Sequence, residues 1–225
     1  MFLQPKHVVD VSVLMPFRDD EEIAAAIPQA ADHLQRGGLL GYPTETVYGL
    51  GSNLDQDALV ALGKLKDRET EKPFLLLVSG PEMAEEWGLT FDQRAMALAD
   101  AFWPGPLTLV LPTSSSRLPD GLRNPEGGIA VRRTSQAGIE RLIEEIDHPI
   151  TSTSANLPGL NPATDIAALH RDFGNVAGLM VLDGGALESA APSTILDCAT
   201  QHLRVVREGA IPLSELETCI GTFAR

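Results

Sequence analysis

Positive charge is scarce in this chain, and its placement is uneven. Of four lysines, Lys64, Lys66 and Lys72 fall within nine residues, with Arg68 among them. Such a cluster can hold an anion; it can equally be a solvated loop, because Asp67, Glu69 and Glu71 alternate with the cations. Two hydroxyl-rich segments carry donors suited to phosphate or carboxylate oxygens. One runs Tyr42-Pro-Thr-Glu-Thr-Val-Tyr-Gly-Leu-Gly51, with Thr44 and Tyr48 in it, and its Pro43, Gly49 and Gly51 indicate a shaped turn. The other, Thr151-Ser-Thr-Ser-Ala-Asn156, places five donor-bearing side chains in six residues, among them Ser152, Ser154 and Asn156. The competing reading of each is an ordinary turn whose hydroxyls bond their own backbone. Trp103-Pro-Gly-Pro106 reads as a rigid turn before a strand.

Other chemistries find little support. There is no P-loop, no G-x-G-x-x-G, no H-E-x-x-H and no G-x-S-x-G. His7, His33, His148, His170 and His202 lie too far apart for ligand spacing and read as surface or capping residues. Asp183, Glu188 and Asp197 could touch a metal or be solvated acids, so no dedicated metal site is expected. Cys198 and Cys219 are too few for a disulfide framework and fit a reducing cytoplasm.

These segments must be held by a substantial core. The chain has 225 residues, 44% of them hydrophobic, which suits one large domain, and no Pro/Gly/Ser-rich linker divides it. Apolar runs reach only about five residues, against the ~20 that cross a bilayer, and no signal-peptide pattern opens the chain. Net charge is −14, which argues against holding a nucleic-acid backbone by bulk attraction, so direct nucleic-acid binding is expected to be absent or weak.

Helical spacing of Ile23, Ile27, Ala30, Ala31 and Leu34 predicts a helix over 20–35, stopped by Gly37-Gly38 and followed by a strand over 39–42. Asp55 is expected to cap a helix over 56–65, and Ser79-Gly-Pro-Glu82 and Thr90-Phe-Asp-Gln93 have the spacing of capping boxes. Strands are predicted over 74–78, 107–111, 128–131, 150–153, 179–182, 194–196 and 203–206. Two of them, between 107 and 131, lack a helical spacer and imply antiparallel pairing, hence a mixed sheet. A short helix is expected after Pro212.

The segments together resemble the YrdC/Sua5 family. Pro43 to Gly51, Lys66-Asp-Arg68 with Lys72-Pro73, Trp103 to Thr108, Val131-Arg132, Ser152 to Asn156, Pro192-Ser-Thr-Ile195 and Arg207-Glu-Gly209 match its motifs in order, from about residue 20 to residue 212. The resemblance implies one YrdC-like α/β domain over 15–212, a twisted mixed sheet flanked by helices around a concave cavity, with a short extension over 213–225. The separate C-terminal domain of some relatives is not expected here.

The resemblance also implies an L-threonylcarbamoyladenylate synthase, which condenses L-threonine, bicarbonate and ATP, releases pyrophosphate and supplies the t6A modification of tRNA through a downstream transfer machinery. Lys66 and Arg68 then carry the catalytic K-x-R pair, with Thr44 and Tyr48 at the threonine end. Lys72, Arg132, Ser152, Ser154, Asn156 and Arg207 fall on the ATP, and Mg²⁺ arrives with the nucleotide. Glu69 stands where a proline usually follows the pair, and Pro158-Gly159 replaces the usual Ser-Gly. Two alternatives remain from the same superfamily: an RNA-binding or ribosome-associated accessory protein, and an enzyme carbamoylating another acceptor.

Overall fold

The computed structural model describes residues 12–67, 72–188 and 191–221. Helix α1 (Asp20–Gln35) starts at Asp19, whose carboxylate accepts from the backbone N–H groups of Glu21 and Glu22, and buries Ile23, Ile27, Ala30, Ala31 and Leu34. It stops where Gly37 turns left-handed (φ +78°), a conformation that needs no Cβ. Strand β1 (Val13–Pro16) precedes it, and β2 (Leu39–Tyr42), β3 (Gly49–Gly51), α2 (Gln56–Leu65), β4 (Leu75–Leu77), α3 (Pro81–Glu86) and α4 (Gln93–Phe102) follow. The second half holds β5 (Leu107–Leu111), a short 3₁₀ turn, β6 (Ile129–Arg132), α5 (Ala137–Ile146), β7 (Ile150–Ser154), α6 (Ile166–Phe173), β8 (Leu179–Asp183), β9 (Thr194–Asp197), β10 (Arg204–Arg207) and α7 (Leu213–Ile220).

The ten strands form one mixed sheet in the order β1-β8-β2-β3-β7-β4-β6-β5-β9-β10. The antiparallel pairing expected between 107 and 131 is that of β5 with β6, Val110 opposite Ala130. Buried leucines, isoleucines and valines on the strands and on α1, α5 and α6 make one continuous core. Helix α7 docks on α4: Leu216 is buried, and the Cys219 thiol reaches the Ala97 carbonyl at 3.5 Å.

Three helix starts differ from the capping expectation. Asp55 occupies the N-cap of α2, but its carboxylate accepts from Asn53 Nδ2 (2.8 Å) and from no helix N–H. At α3 the cap is Gly80, one residue past Ser79, because Pro81 suits the first helical position, and the Ser79 hydroxyl turns to Met83 Sδ. At α4 the cap is Asp92 and not Thr90, its carboxylate accepting from Ala95 N at 2.8 Å. In both cases the cap lies closer to the first turn than the box spacing indicates, and only at α4 does its side chain bond a helix N–H.

Candidate functional site

Strand register gathers the polar segments onto one face of the sheet. Tyr42 pairs with Gly49 across β2 and β3, and its ring lies flat over β3 to reach β7, where the phenol donates to Thr151 O at 3.2 Å. That path exists because β3 is Gly-Leu-Gly. A Cβ at Gly49 would sit 3.0 Å from the Tyr42 ring, and one at Gly51 would sit 2.1 Å from Thr151 O. Burial pushes the Tyr42 phenol well above its ordinary pKa, with Ser152 and Arg132 pulling the other way.

The same face continues outward along the sheet. Gly49 pairs with Ser154, so Ser152 and Ser154 point to the Tyr42 side. Ser152 pairs with Leu75, and Leu77, two residues on, pairs with Arg132. Thr108 lies two residues from Val110 on β5 and pairs with Ile195 of β9. A β-bulge between Val205 and Arg207 then puts Arg207 opposite Ile195, where an unbroken ladder would have put Val206. The bulge aims the guanidinium at the hydroxyl cluster: Arg207 donates to Ser193 O from both Nε (3.0 Å) and Nη2 (2.8 Å), and Ser193 Oγ lies 3.0 Å from Thr108 Oγ1.

Lys66 meets the second hydroxyl-rich segment directly. It caps the C-terminus of α2, is 6% exposed, and its ammonium donates to Ser154 O (2.7 Å), to Asn156 O and to Asn156 Oδ1 (3.2 Å). Asn156 is itself fully engaged: Oδ1 also accepts from Ser154 Oγ (2.5 Å), and Nδ2 donates to Leu157 O and Leu160 O. A basic side chain and a turn 88 residues away thus form one network. Arg68, with Glu69, lies outside the described residues; Lys72 is exposed ahead of β4.

The 43–48 loop is built partly on its own hydroxyl. Thr44 Oγ1 donates to Val47 O (2.7 Å) and accepts from the N–H of Thr46 and Val47, the local turn chemistry that competes with ligand binding. Tyr48 is buried and donates its phenol to Gly185 O at 2.7 Å, tying the loop to the end of β8. Burial, with Asp183 nearby, pushes its pKa up to about 12.

Glu45 projects from this loop across to β6. Its carboxylate lies 2.6 Å from Arg132 Nη2 and accepts from Thr134 Oγ1 at 2.5 Å. Arg132 is 5% exposed. The contact has the closeness of an ion pair without the alignment of a hydrogen bond: Glu45 Oε1, Arg132 Nη2 and Arg132 Nε are buried and make none. Partial burial and the neighbouring Arg132 hold the Arg207 guanidinium below its ordinary pKa. Two cations therefore share this face with one carboxylate between them and the loop.

Several residues here had no role assigned from the sequence: Tyr42, Glu45, Thr108 and Ser193 lie in segments that stood out without being singled out themselves, and Thr134 lies in none. For Glu45 the one available sign was a carboxylate inside a hydroxyl-rich turn. Trp103-Pro-Gly-Pro106 is the turn expected and abuts the site, Gly105 N donating to Arg133 O at 2.9 Å. Of the acids weighed as metal contacts, Asp183 pairs with Arg18 and Asp197 with Arg204 at 2.8 Å, and the described residues contain no group of three or more His, Cys, Asp or Glu placed to hold a metal. Among the described residues no helix is long and apolar enough to cross a membrane.

Comparison with known proteins bears on the family and the fold. The Sua5/YciO/YrdC family model, described as telomere recombination, matches residues 32–209. The chain is 39% identical over 180 residues to the threonylcarbamoyl-AMP synthase of Chromohalobacter salexigens, covering 79% of this chain and 95% of that protein. It is 35% identical over 194 residues to the enzyme of that name from Pyrococcus abyssi, covering 85% of this chain; it spans 56% of the Pyrococcus protein's length. The crystal structure of Pyrococcus abyssi Sua5 complexed with L-threonine superposes with a TM-score of 0.87 at 33% identity, over 94% of this chain and 62% of that one.

Proposed function

The chain belongs to the Sua5/YciO/YrdC family, and from that premise we propose that it is an L-threonylcarbamoyladenylate synthase, joining L-threonine, bicarbonate and ATP. The observation that carries this reading is the pair Arg132 and Arg207 on a hydroxyl-lined sheet face: Arg132 Nε and Nη2 are buried without a hydrogen bond, and Arg207 bonds only neutral Ser193 oxygens. Two cations on one face, neither fully matched by a carboxylate fork, suit a triphosphate.

In this reading the threonine amine attacks the carbon of CO₂, forming a C–N bond and an N-carboxylate as the nitrogen gives a proton to solvent; with bicarbonate a C–O bond breaks as well and water leaves carrying that proton. An oxygen of that carbamate then attacks the α-phosphorus of ATP. The bond from that phosphorus to the bridging oxygen breaks, and pyrophosphate leaves with the electron pair. No side-chain nucleophile is needed; positioning and charge neutralisation are the devices. Arg132 and Arg207, helped by Lys72, take the phosphates, with Ser152 and Ser154 as neutral donors. Lys66 shapes the Ser154–Asn156 turn and brings its positive charge to the carbamate end, where Arg68 supplies a planar fork. Thr44 and Tyr48 form the wall of the threonine end.

Mg²⁺ in this scheme enters with ATP, held by phosphate oxygens and water, as its reluctance to dehydrate favours. Product passes to the machinery that completes t6A on tRNA, in a reducing cytoplasm suited to two unpaired cysteines. The test is pyrophosphate release from ATP and bicarbonate with and without threonine. Release that requires threonine, and that serine or other amino acids do not support equally, is expected; threonine-independent or absent release refutes the reading.

A further inference from the structure

Among the described residues, only three buried side-chain polar atoms make no hydrogen bond, and all three belong to one contact: Glu45 Oε1, Arg132 Nη2 and Arg132 Nε. Native interiors satisfy nearly all such groups, so three together mark a place completed by something else. The contact spans two parts of the site. Glu45 belongs to the loop that carries Thr44 and Tyr48, and Arg132 belongs to the face that carries Ser152 and Arg207. The Glu45 carboxylate is anchored on its other oxygen by Thr134 Oγ1 at 2.5 Å. Its hold on Arg132 is by charge at 2.6 Å without hydrogen-bond alignment.

We propose that Glu45 is a positioning residue that acts as an internal surrogate anion: its carboxylate occupies Arg132 when no phosphate is present and competes with an incoming phosphate for the same guanidinium. This rests on the phosphate-binding role given above to Arg132. A permanent structural pair would have the fork geometry that satisfies both partners. The observed pair leaves Arg132 Nε open and Glu45 Oε1 unbonded, so exchanging the carboxylate for a phosphate oxygen loses little and satisfies more donors. Meanwhile the carboxylate counters the repulsion between Arg132 and Arg207, which would otherwise leave two cations close together on a partly buried face. Competition of this kind weakens phosphate binding and speeds the release of pyrophosphate.

The inference makes an inverted prediction. Removing a negative charge from a purely structural strap loosens the site and weakens binding; removing a competitor tightens it. Glu45→Gln is expected to bind inorganic pyrophosphate, followed by titration calorimetry, about tenfold more tightly than the wild type, and to lower kcat with KM for ATP also reduced. Thr134→Val, which keeps the charge and removes its anchor, is expected to tighten binding by a smaller factor, and it serves if Glu45→Gln fails to fold. Glu45→Asp is expected to bind like the wild type or more tightly, since the shorter acid reaches Arg132 less well. Unchanged or weaker pyrophosphate affinity in Glu45→Gln, or in Thr134→Val where Glu45→Gln does not fold, overturns the proposal. Tighter affinity in a protein that shows no threonine-dependent pyrophosphate release would instead refute the proposed reaction and leave this inference standing. A wild type that does not bind pyrophosphate overturns both.

Discussion

Lys66→Met separates two roles that a basic residue in this site can have. The Lys66 ammonium donates to Ser154 O, Asn156 O and Asn156 Oδ1 and is almost wholly buried. A hydrogen bond from a charged donor contributes about 1.5–3 kcal/mol. The full sum is not lost on substitution: Asn156 Oδ1 keeps its bond from Ser154 Oγ, and methionine fills the stem's volume and removes the cost of burying a charge. A net loss of about 3 kcal/mol remains, which in a chain of this size lowers Tm by about 6–12 °C. Because the 154–156 turn would no longer be pinned to the end of α2, pyrophosphate release should fall by about a hundredfold or more, beyond what unfolding at assay temperature explains. The assays are a thermal melt by circular dichroism and threonine-dependent pyrophosphate release on the same preparation. An unchanged Tm would refute the anchoring role; wild-type turnover would refute the chemical one. Lys66→Arg is expected to recover part of the stability and little of the activity, since a planar fork does not converge three donors as a point ammonium does.

Two further outcomes follow from the packing. Gly51→Ala should lose about 3 kcal/mol or more, visible as a fall in urea midpoint, because its Cβ would lie 2.1 Å from the Thr151 backbone oxygen, an atom that cannot step aside; a neutral substitution would refute the close approach. At alkaline pH the Cys198 thiol, raised to about 12 by burial and by Asp92 and Asp197, binds its proton more tightly folded than unfolded. Its share of stability is complete below the ordinary thiol pKa of 9.0 and is lost as pH rises from there to 12. Denaturant midpoints of Cys198→Ala should therefore fall less steeply over that window than those of the wild type, and equal slopes would refute the assignment.

What the sequence disclosed about this protein was the part governed by local physics. Helix α1 was legible because its apolar spacing and its Gly37-Gly38 stop agree, and the structure adds the Asp19 cap at its start. Strands β2 and β5 were legible as short apolar runs between breakers, and the antiparallel β5–β6 pair followed from the missing helix between them. Strand β3 was not, because Gly-Leu-Gly has no strand propensity of its own; it extends only because Tyr42 packs over it and β7 pairs with it. Strand β1 escaped as a four-residue edge strand ending in proline, a position a sheet tolerates only at its rim. The hydroxyls of Thr44 and of the 151–156 segment stood out as donors, yet Thr44 turned out to serve its own turn, and the anchoring of the 154–156 turn depended on where Lys66 arrives, 88 residues from Ser154. The Glu45–Arg132 contact and the bulge that turns Arg207 inward are likewise set by strand order, which no window of sequence contains.

The acidity of the chain and the basicity of this face are reconciled by where neutralisation occurs, not by how much charge there is. With 31 acidic residues against 17 Lys and Arg, most surface arginines have a carboxylate close by: Arg36 has Asp32, Arg94 has Asp92, Arg171 has Asp172, and Arg204 has Glu126 and Asp197. Such exposed pairs contribute little stability and cancel each other's field at a distance. Arg207 is treated differently: its bonds go to the carbonyl and hydroxyl of Ser193, which satisfy donors without cancelling charge. Arg132 has one carboxylate, poorly aligned, shared with Thr134. The face thus keeps uncancelled positive charge in a low-dielectric setting while the rest of the surface repels a long polyanion. Under the function proposed above, that combination would favour a compact anion, such as a nucleotide or pyrophosphate, over a nucleic-acid backbone held along the exterior.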